Sequence, residues 1–141
     1  MKYLVDANVL SEPTKPEPDP AVILWLRRHE AEIAVDPIIL GEIHFGIHLV
    51  PAGKRRARLE RWFADGVQRL RCLPWLAETG LRWAQLLADL RAAGQSMPIK
   101  DSLIAATALT HGLTVVTRNV RDFAKAGAQT IDPFRAAGDT P

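Results

Sequence analysis

Short β-type segments alternate with amphipathic helical patterns along almost the whole of this 141-residue chain. The β-type runs cover residues 3–5, 32–35, 69–73, 113–117 and 129–132. Between these runs, apolar residues recur every three or four positions, as they do in a helix with one buried face. This alternation is typical of an α/β domain in which helices cover both faces of a mainly parallel sheet. We therefore expect a three-layer α/β/α fold with a central sheet of about five strands.

Proline and glycine mark where several predicted helices begin and end. Pro20 and Pro37 begin two of them, and Pro98 begins another, which Ser96 can cap and Gly112 ends. A further pattern at about residues 76–93 stops before a glycine. One more helical pattern places its basic residues opposite Leu59, Trp62, Phe63, Val67 and Leu70. Segment 11–20 has four prolines, which predicts a rigid exposed loop.

Length and composition indicate an ordinary globular protein. The chain is 48% hydrophobic and 24% charged, and residues 1–141 suit one domain with a flexible tail at about 135–141. No apolar run approaches the roughly 18 residues of a membrane span, so we expect no membrane partner and a cytoplasmic location. The single cysteine, Cys72, excludes an internal disulfide framework and is expected in the core.

An acidic residue directly after the first β-type run is the first indication of a functional site. Asp6 follows the run at residues 3–5, where a continuing strand would be apolar. In open α/β sheets, ligands bind at the carboxyl ends of the strands, and Asp6 lies at such an end. Residues 118–122, which include Asp122, follow a later run and are expected at the same edge.

Two more acids lie at helix positions beside apolar residues. Glu42 shares a predicted helix face with Ile39 and Phe45, and Asp101 lies in the first turn of its helix. Each acid has an ordinary alternative: Asp6 could end a strand, Glu42 could pair with an arginine, Asp101 could stabilise a helix N-terminus, and Asp122 could cap a turn.

Together, the four acids predict a metal site. Two carboxylates about 5 Å apart repel by about 3 kcal/mol at an effective dielectric constant of about 20, so a cluster of them requires protons or cations. Oxygen ligands, with no cysteine and no well-placed histidine, favour hard divalent ions such as Mg²⁺ or Mn²⁺.

Four segments in order resemble one protein family. The stretches "YLVDANVLSE", "GEIHFGI", "KDSLIAATA" and "TRNVRDF" are similar to motifs of the PIN-domain ribonucleases, especially toxins of the VapC and FitB type. The resemblance covers nearly the whole chain. It implies a PIN-like fold and metal-dependent endoribonuclease activity, with Asp6, Glu42, Asp101 and Asp122 as the metal-binding and catalytic acids.

The same resemblance implies roles for further residues. Asn8, Thr117 and Asn119 match polar positions that support the family's site. Two departures from the family pattern are Ala7, where a hydroxyl residue is common, and Lys100, whose charge can compete with a metal. Because a metal neutralises the acids, affinity for RNA is expected from basic residues at the rim. Arg118 and Arg121 are the first candidates, followed by the basic cluster at residues 54–61.

The resemblance also implies partners. A toxin of this kind is expected to bind RNA as substrate, to form a homodimer, and to be neutralised by a cognate VapB-like antitoxin. The alternative is a non-catalytic PIN-like module that acts with its partner in a DNA- or RNA-binding complex. Cleavage assays with and without EDTA separate the two.

Overall fold

Five parallel strands form one sheet in the order β3-β2-β1-β4-β5. The computed structural model describes residues 1–134, and the tail predicted at 135–141 lies outside the described residues. The strands are β1 (Tyr3–Val5), β2 (Ile33–Val35), β3 (Arg71–Cys72), β4 (Thr114–Val116) and β5 (Thr130–Ile131). All five coincide with the predicted β-type runs, although four of the five are shorter. The predicted α/β fold with a central parallel sheet is confirmed.

Helices fill the segments between the strands. They are α1 (Ala7–Leu10), α2 (Pro20–Arg28), α3 (Pro37–His48), α4 (Lys54–Asp65), α5 (Ala77–Ala92), α6 (Ile99–His111) and α7 (Val120–Lys125). Pro20 and Pro37 occupy first helical positions, as predicted, and the N-cap residue before each is an aspartate whose side chain accepts a backbone N–H. Helix α6 ends at Gly112, whose φ of 65° is the left-handed conformation that favours glycine.

The core lies where the three central strands pack between helices. Strand residues Leu4, Val35 and Val115 are completely buried, as is Ile104 of α6. Strands buried on both faces are the pattern of a parallel sheet covered by helices. No helix within residues 1–134 combines the length and the apolar character that a membrane span requires.

The structure departs from the sequence predictions at four places. The helix expected through Leu70 ends at Asp65, because Gly66 interrupts it and a short 3-10 turn follows. Ser96 does not cap α6, whose N-cap is Pro98. Cys72 is exposed rather than buried, since β3 is an edge strand. In the proline-rich segment, Glu12 is buried and accepts a 2.9 Å hydrogen bond from the backbone N–H of Asp19.

Candidate active site

A cavity of about 620 Å³ opens at the carboxyl edge of the sheet. Strands β1 and β4 are neighbours, but the chain leaves β1 for β2 on one side and leaves β4 for β5 on the other. Such a reversal of strand order is where open α/β sheets form their ligand crevices. The residues that line the cavity include the four acids predicted from the sequence, Asp6, Glu42, Asp101 and Asp122.

Asp6 is held in place by hydrogen bonds from three residues. Its Oδ1 accepts the backbone N–H of Ala7 at 2.8 Å, which caps α1. Its Oδ2 accepts the hydroxyl of Thr117 at 2.7 Å and the side-chain amide of Asn8 at 3.4 Å. Burial raises the pKa of Asp6, and the hydrogen bond from Thr117 opposes that rise. The carboxylate at the end of β1 is therefore oriented before any ligand arrives.

The three predicted supporting residues form one network around this carboxylate. Thr117, which follows β4, also accepts the backbone N–H of Asn119 at 3.0 Å. The side-chain oxygen of Asn8 accepts the backbone N–H of Arg118 at 3.2 Å. These contacts join the ends of β1 and β4, so the cavity floor is one hydrogen-bonded unit.

Burial and neighbouring charges strongly raise the pKa of Asp101. The residue lies in the first turn of α6 and is largely buried. Burial, followed by the negative charges of Asp6, Asp122 and Glu42, raises the pKa of Asp101 to about 6. Repulsion of this kind requires the four carboxylates to share one electrostatic environment.

Glu42 projects from α3 and forms an ion pair with Lys100 of α6. The predicted helix face that Glu42 shares with Ile39 and Phe45 is buried only in part. Ile39 is completely buried, but Phe45 and Leu49 are 63% and 68% exposed. Glu42 therefore stands at the boundary between the core and an exposed apolar surface.

By ligand type, the cavity suits a hard divalent cation. Its acids provide only carboxylate oxygens, which Mg²⁺ and Mn²⁺ prefer. Within the described residues, however, no three His, Cys, Asp or Glu side chains are arranged so that together they could hold a metal ion. Glu42 is paired with Lys100, and Asp122 lies 3.7 Å from the Nζ of Lys125. The donor set fits such an ion, and coordination by more than two of these acids would require side chains to rearrange.

One further acid near the site was missed by the sequence reasoning. Asp36, after β2, is completely buried and caps α3 by accepting the backbone N–H of Ile39 at 2.8 Å. Its other oxygen accepts the hydroxyl of Thr107 of α6 at 2.7 Å. Asp36 thereby joins the two helices that carry Glu42 and Asp101. An aspartate between a β-type run and Pro37 is a cap signature that could have identified it.

The predicted RNA-binding arginines lie outside the wall of the cavity. The guanidinium of Arg118 stacks over the ring of Phe134, 3.6 Å from its centroid, and Arg121 is exposed on α7. Arg55 of α4 lines the cavity itself. It also lines an adjoining cavity of about 710 Å³, together with Lys15, Arg58 and Trp62. The basic cluster on α4 was the second candidate for RNA binding from the sequence. It begins in the wall of the acid cavity and continues into the adjoining cavity.

Comparison with known proteins agrees with this architecture. Residues 3–129 match the PIN domain. The VapC ribonuclease Y4jK of Sinorhizobium fredii is 36% identical over 139 residues, covering 95% of this chain and 99% of that protein. Toxin FitB of Neisseria gonorrhoeae is 31% identical over 135 residues, covering 93% and 97%. The structure of FitAB bound to an IR36 DNA fragment superposes with a TM-score of 0.88 at 29% identity, covering 94% and 95%.

The chain therefore belongs to the PIN-domain family. Its relatives within that family include ribonucleases and toxins of the VapC and FitB type. The resemblance recognised from four sequence motifs is confirmed.

Proposed function

We propose that this protein is a divalent-metal-dependent endoribonuclease, the toxin of a toxin–antitoxin pair. The observation that carries the proposal is the convergence of Asp6, Glu42, Asp101 and Asp122 on one cavity at the reversal of strand order. A relative named as a ribonuclease matches 95% of the chain, which supports the choice of RNA as substrate.

In this proposal the four acids hold Mg²⁺ or Mn²⁺. A divalent ion in the cavity would supply an acidified water nucleophile and would neutralise charge on the phosphodiester. The chain's own contribution is positioning. Thr117 and the backbone N–H of Ala7 fix the Asp6 carboxylate, while α3 and α6 carry Glu42 and Asp101 to the same cavity.

The proposed path for RNA runs from the acid cavity along α4. Arg55 lies in the walls of both adjoining cavities, and Arg58 and Lys15 line the second one. Their charges suit the phosphates of a strand that must pass an acidic pocket. Trp62 lines both cavities and offers an aromatic surface against which a base can stack. Arg118 and Arg121 would contact RNA from the opposite rim.

Cleavage of a labelled single-stranded RNA tests the activity. We expect cleavage with Mg²⁺ or Mn²⁺, none with EDTA, and none by Asp101→Asn with either metal. Asp65→Asn is the matched control, because it removes an exposed acid at the end of α4. Cleavage that persists in EDTA, or in Asp101→Asn purified identically, would contradict the proposal.

The proposal includes a cognate antitoxin and a homodimer. A FitAB complex is among the structures that superpose with this chain, which supports a small partner protein of the antitoxin class. Co-expression with the product of the adjacent open reading frame should yield a stable complex and suppress RNA cleavage. Light scattering of the isolated chain should give twice the mass of one chain. Failure of the neighbouring product to bind would remove the partner assignment.

The alternative function is a non-catalytic module that acts within a DNA-binding complex. It is favoured by one observation, the FitAB structure with bound DNA. A chain that binds its partner and DNA, but does not cleave RNA with any divalent metal, would establish this alternative.

A further inference from the structure

Lys100 places a positive charge directly in the acid cavity. Its Nζ forms an ion pair with Oε2 of Glu42, and both residues line the cavity. The Glu42 side chain is 22% exposed, whereas that of Lys100 is 55% exposed. Lys100 is thus the more exposed partner, which reaches from the solvent side of α6 to a more buried carboxylate on α3.

The position of Lys100 is not explained by the stability of its own helix. It lies in the first turn of α6, where the helix dipole disfavours a positive charge. Asp101, the next residue, has the charge that this position favours. An ammonium group at a helix N-terminus needs a compensating interaction, and the acid cavity provides one.

The charge of Lys100 acts on several of the acids. The hydrogen bond to Glu42, followed by the charges of Glu42, Asp101 and Asp6, raises the pKa of Lys100 above its usual value. In return, its charge partly offsets the repulsion that raises the pKa of Asp101. Lys125 differs, because it is 3.7 Å from Asp122 and also donates to the carbonyl of Ser96.

We infer that Lys100 is the built-in counterion of the metal-free cavity and that it sets the affinity for the divalent cation by competing for Glu42. A carboxylate oxygen that holds an ammonium group is not free to coordinate a metal, and a divalent ion repels the ammonium. Coordination of a metal through Oε2 of Glu42 therefore requires Lys100 to leave that oxygen, and a metal on the other oxygen would still be repelled by the ammonium group. The exposure of Lys100 gives the long side chain a route into solvent. The inference rests on the proposed function, in that it assumes a metal site at these acids.

The test is isothermal titration of Mn²⁺ into EDTA-treated protein, with no RNA present. Four proteins are compared: wild type, Lys100→Met, Lys100→Arg and Lys2→Met. Lys2 is an exposed lysine before β1, at the sheet edge opposite the cavity, so it controls for net charge. Lys100→Met should bind Mn²⁺ about fivefold more tightly than wild type, which is the size expected from losing one partly exposed ion pair. Lys100→Arg and Lys2→Met should stay close to wild type.

The outcomes distinguish failure of the inference about Lys100 from failure of the proposed metal site. Equal or weaker binding by Lys100→Met, with normal binding by wild type, overturns the inference and leaves the proposed function intact. A tightening in Lys2→Met as large as in Lys100→Met also overturns it, since the effect would then be one of net charge. Absence of Mn²⁺ binding in all four proteins overturns the proposed metal site and the inference with it.

Discussion

The hydroxyl of Thr117 donates a 2.7 Å hydrogen bond to Oδ2 of Asp6, although 111 residues separate the two in sequence. This contact joins the end of β4 to the end of β1, the two strands between which the strand order reverses. It also stabilises the charged form of a buried carboxylate, because a hydroxyl donor favours the ionised acid. The polar floor of the cavity thus depends on a residue that is itself completely buried.

Thr117→Val should move the acid limb of the pH profile to higher pH. Burial raises the pKa of Asp6 and the Thr117 hydroxyl opposes that rise, so removing the hydroxyl raises the pKa further. Metal binding and cleavage that need ionised Asp6 are then lost at a higher pH as the solution is acidified. Rates of RNA cleavage from pH 5 to 9 measure the effect, with Thr117→Ser as the variant that keeps the hydroxyl. Identical profiles for the valine and serine variants would contradict this role.

Asp101→Asn should stabilise the metal-free protein at pH 7. The pKa of Asp101 is raised from 3.8 to about 6, so the folded state binds this proton more tightly than the unfolded state does. The contribution of Asp101 to the free energy of unfolding therefore falls as pH rises from about 4 to 6. Solvent in the cavity screens part of the repulsion, so we expect a gain of about 1 kcal/mol at pH 7.

Urea denaturation in EDTA at pH 7 and at pH 3.5 measures that gain. The difference between wild type and Asp101→Asn should be nearly lost at pH 3.5, which lies below both pKa values, so that the acid is mostly protonated in both states. Asp65→Asn, at an exposed position, should show no such pH dependence. A destabilised Asp101→Asn protein at pH 7 would mean that the acids are already compensated without metal.

Thr107→Val should destabilise the fold by about 1–3 kcal/mol, because it leaves a buried carboxylate without one of its donors. Thr107 donates at 2.7 Å to Asp36, which is completely buried and links α3 to α6. Thr110→Val is the control, since its hydroxyl bonds the carbonyl of Ala106 in its own helix. Thermal and urea unfolding should separate the two variants. Equal stability would show that the Asp36 contact contributes nothing specific.

The fold was predictable because several independent local signals agreed. Short β-type runs, of which residues 113–117 are the richest in β-branched side chains, supplied the strands. Pro20, Pro37 and Gly112 marked helix ends for stereochemical reasons. The convergence of the acids was also predictable, since parallel strands share one carboxyl edge. Asp6 and the segment after β4 had to meet there once the sheet was parallel.

Other features depend on tertiary contacts that no local pattern contains. The exposure of Phe45 and Leu49 depends on what covers α3, which helical periodicity does not report. Burial of Glu12 depends on a backbone N–H seven residues away, supplied by the shape of a proline-rich segment. The ion pair between Glu42 and Lys100 depends on how α3 and α6 pack. Gly66 lowers the helix propensity of its segment, but a single glycine does not by itself predict that the helix ends there.

Gly112→Ala and Gly41→Ala should change stability in opposite directions. Gly112 has a φ of 65°, where a β-carbon costs about 1 kcal/mol. Gly41 lies inside α3, and no atom of a neighbouring element lies within 4 Å of the position that an alanine Cβ would take. Alanine there should stabilise the fold by about 0.5–1 kcal/mol. Urea unfolding of both variants measures the two signs. A stabilised Gly112→Ala protein would contradict the left-handed helix end.

Arg55→Ala should weaken RNA binding more than Arg118→Ala does, because Arg55 lies in the walls of both adjoining cavities. Arg118 is instead stacked on Phe134, outside the lining of the acid cavity. Loss of one phosphate contact to a single strand should reduce the slope of log affinity against log salt by about 0.7. Fluorescence anisotropy of a labelled RNA over a range of salt concentrations measures this slope, and an Asp101→Asn background prevents cleavage during the titration.

Arg28→Ala is the control for this measurement. Arg28 lies at the end of α2, shortly before β2, at the sheet edge opposite the cavity. A reduced slope in Arg118→Ala with none in Arg55→Ala would place the RNA on the opposite rim.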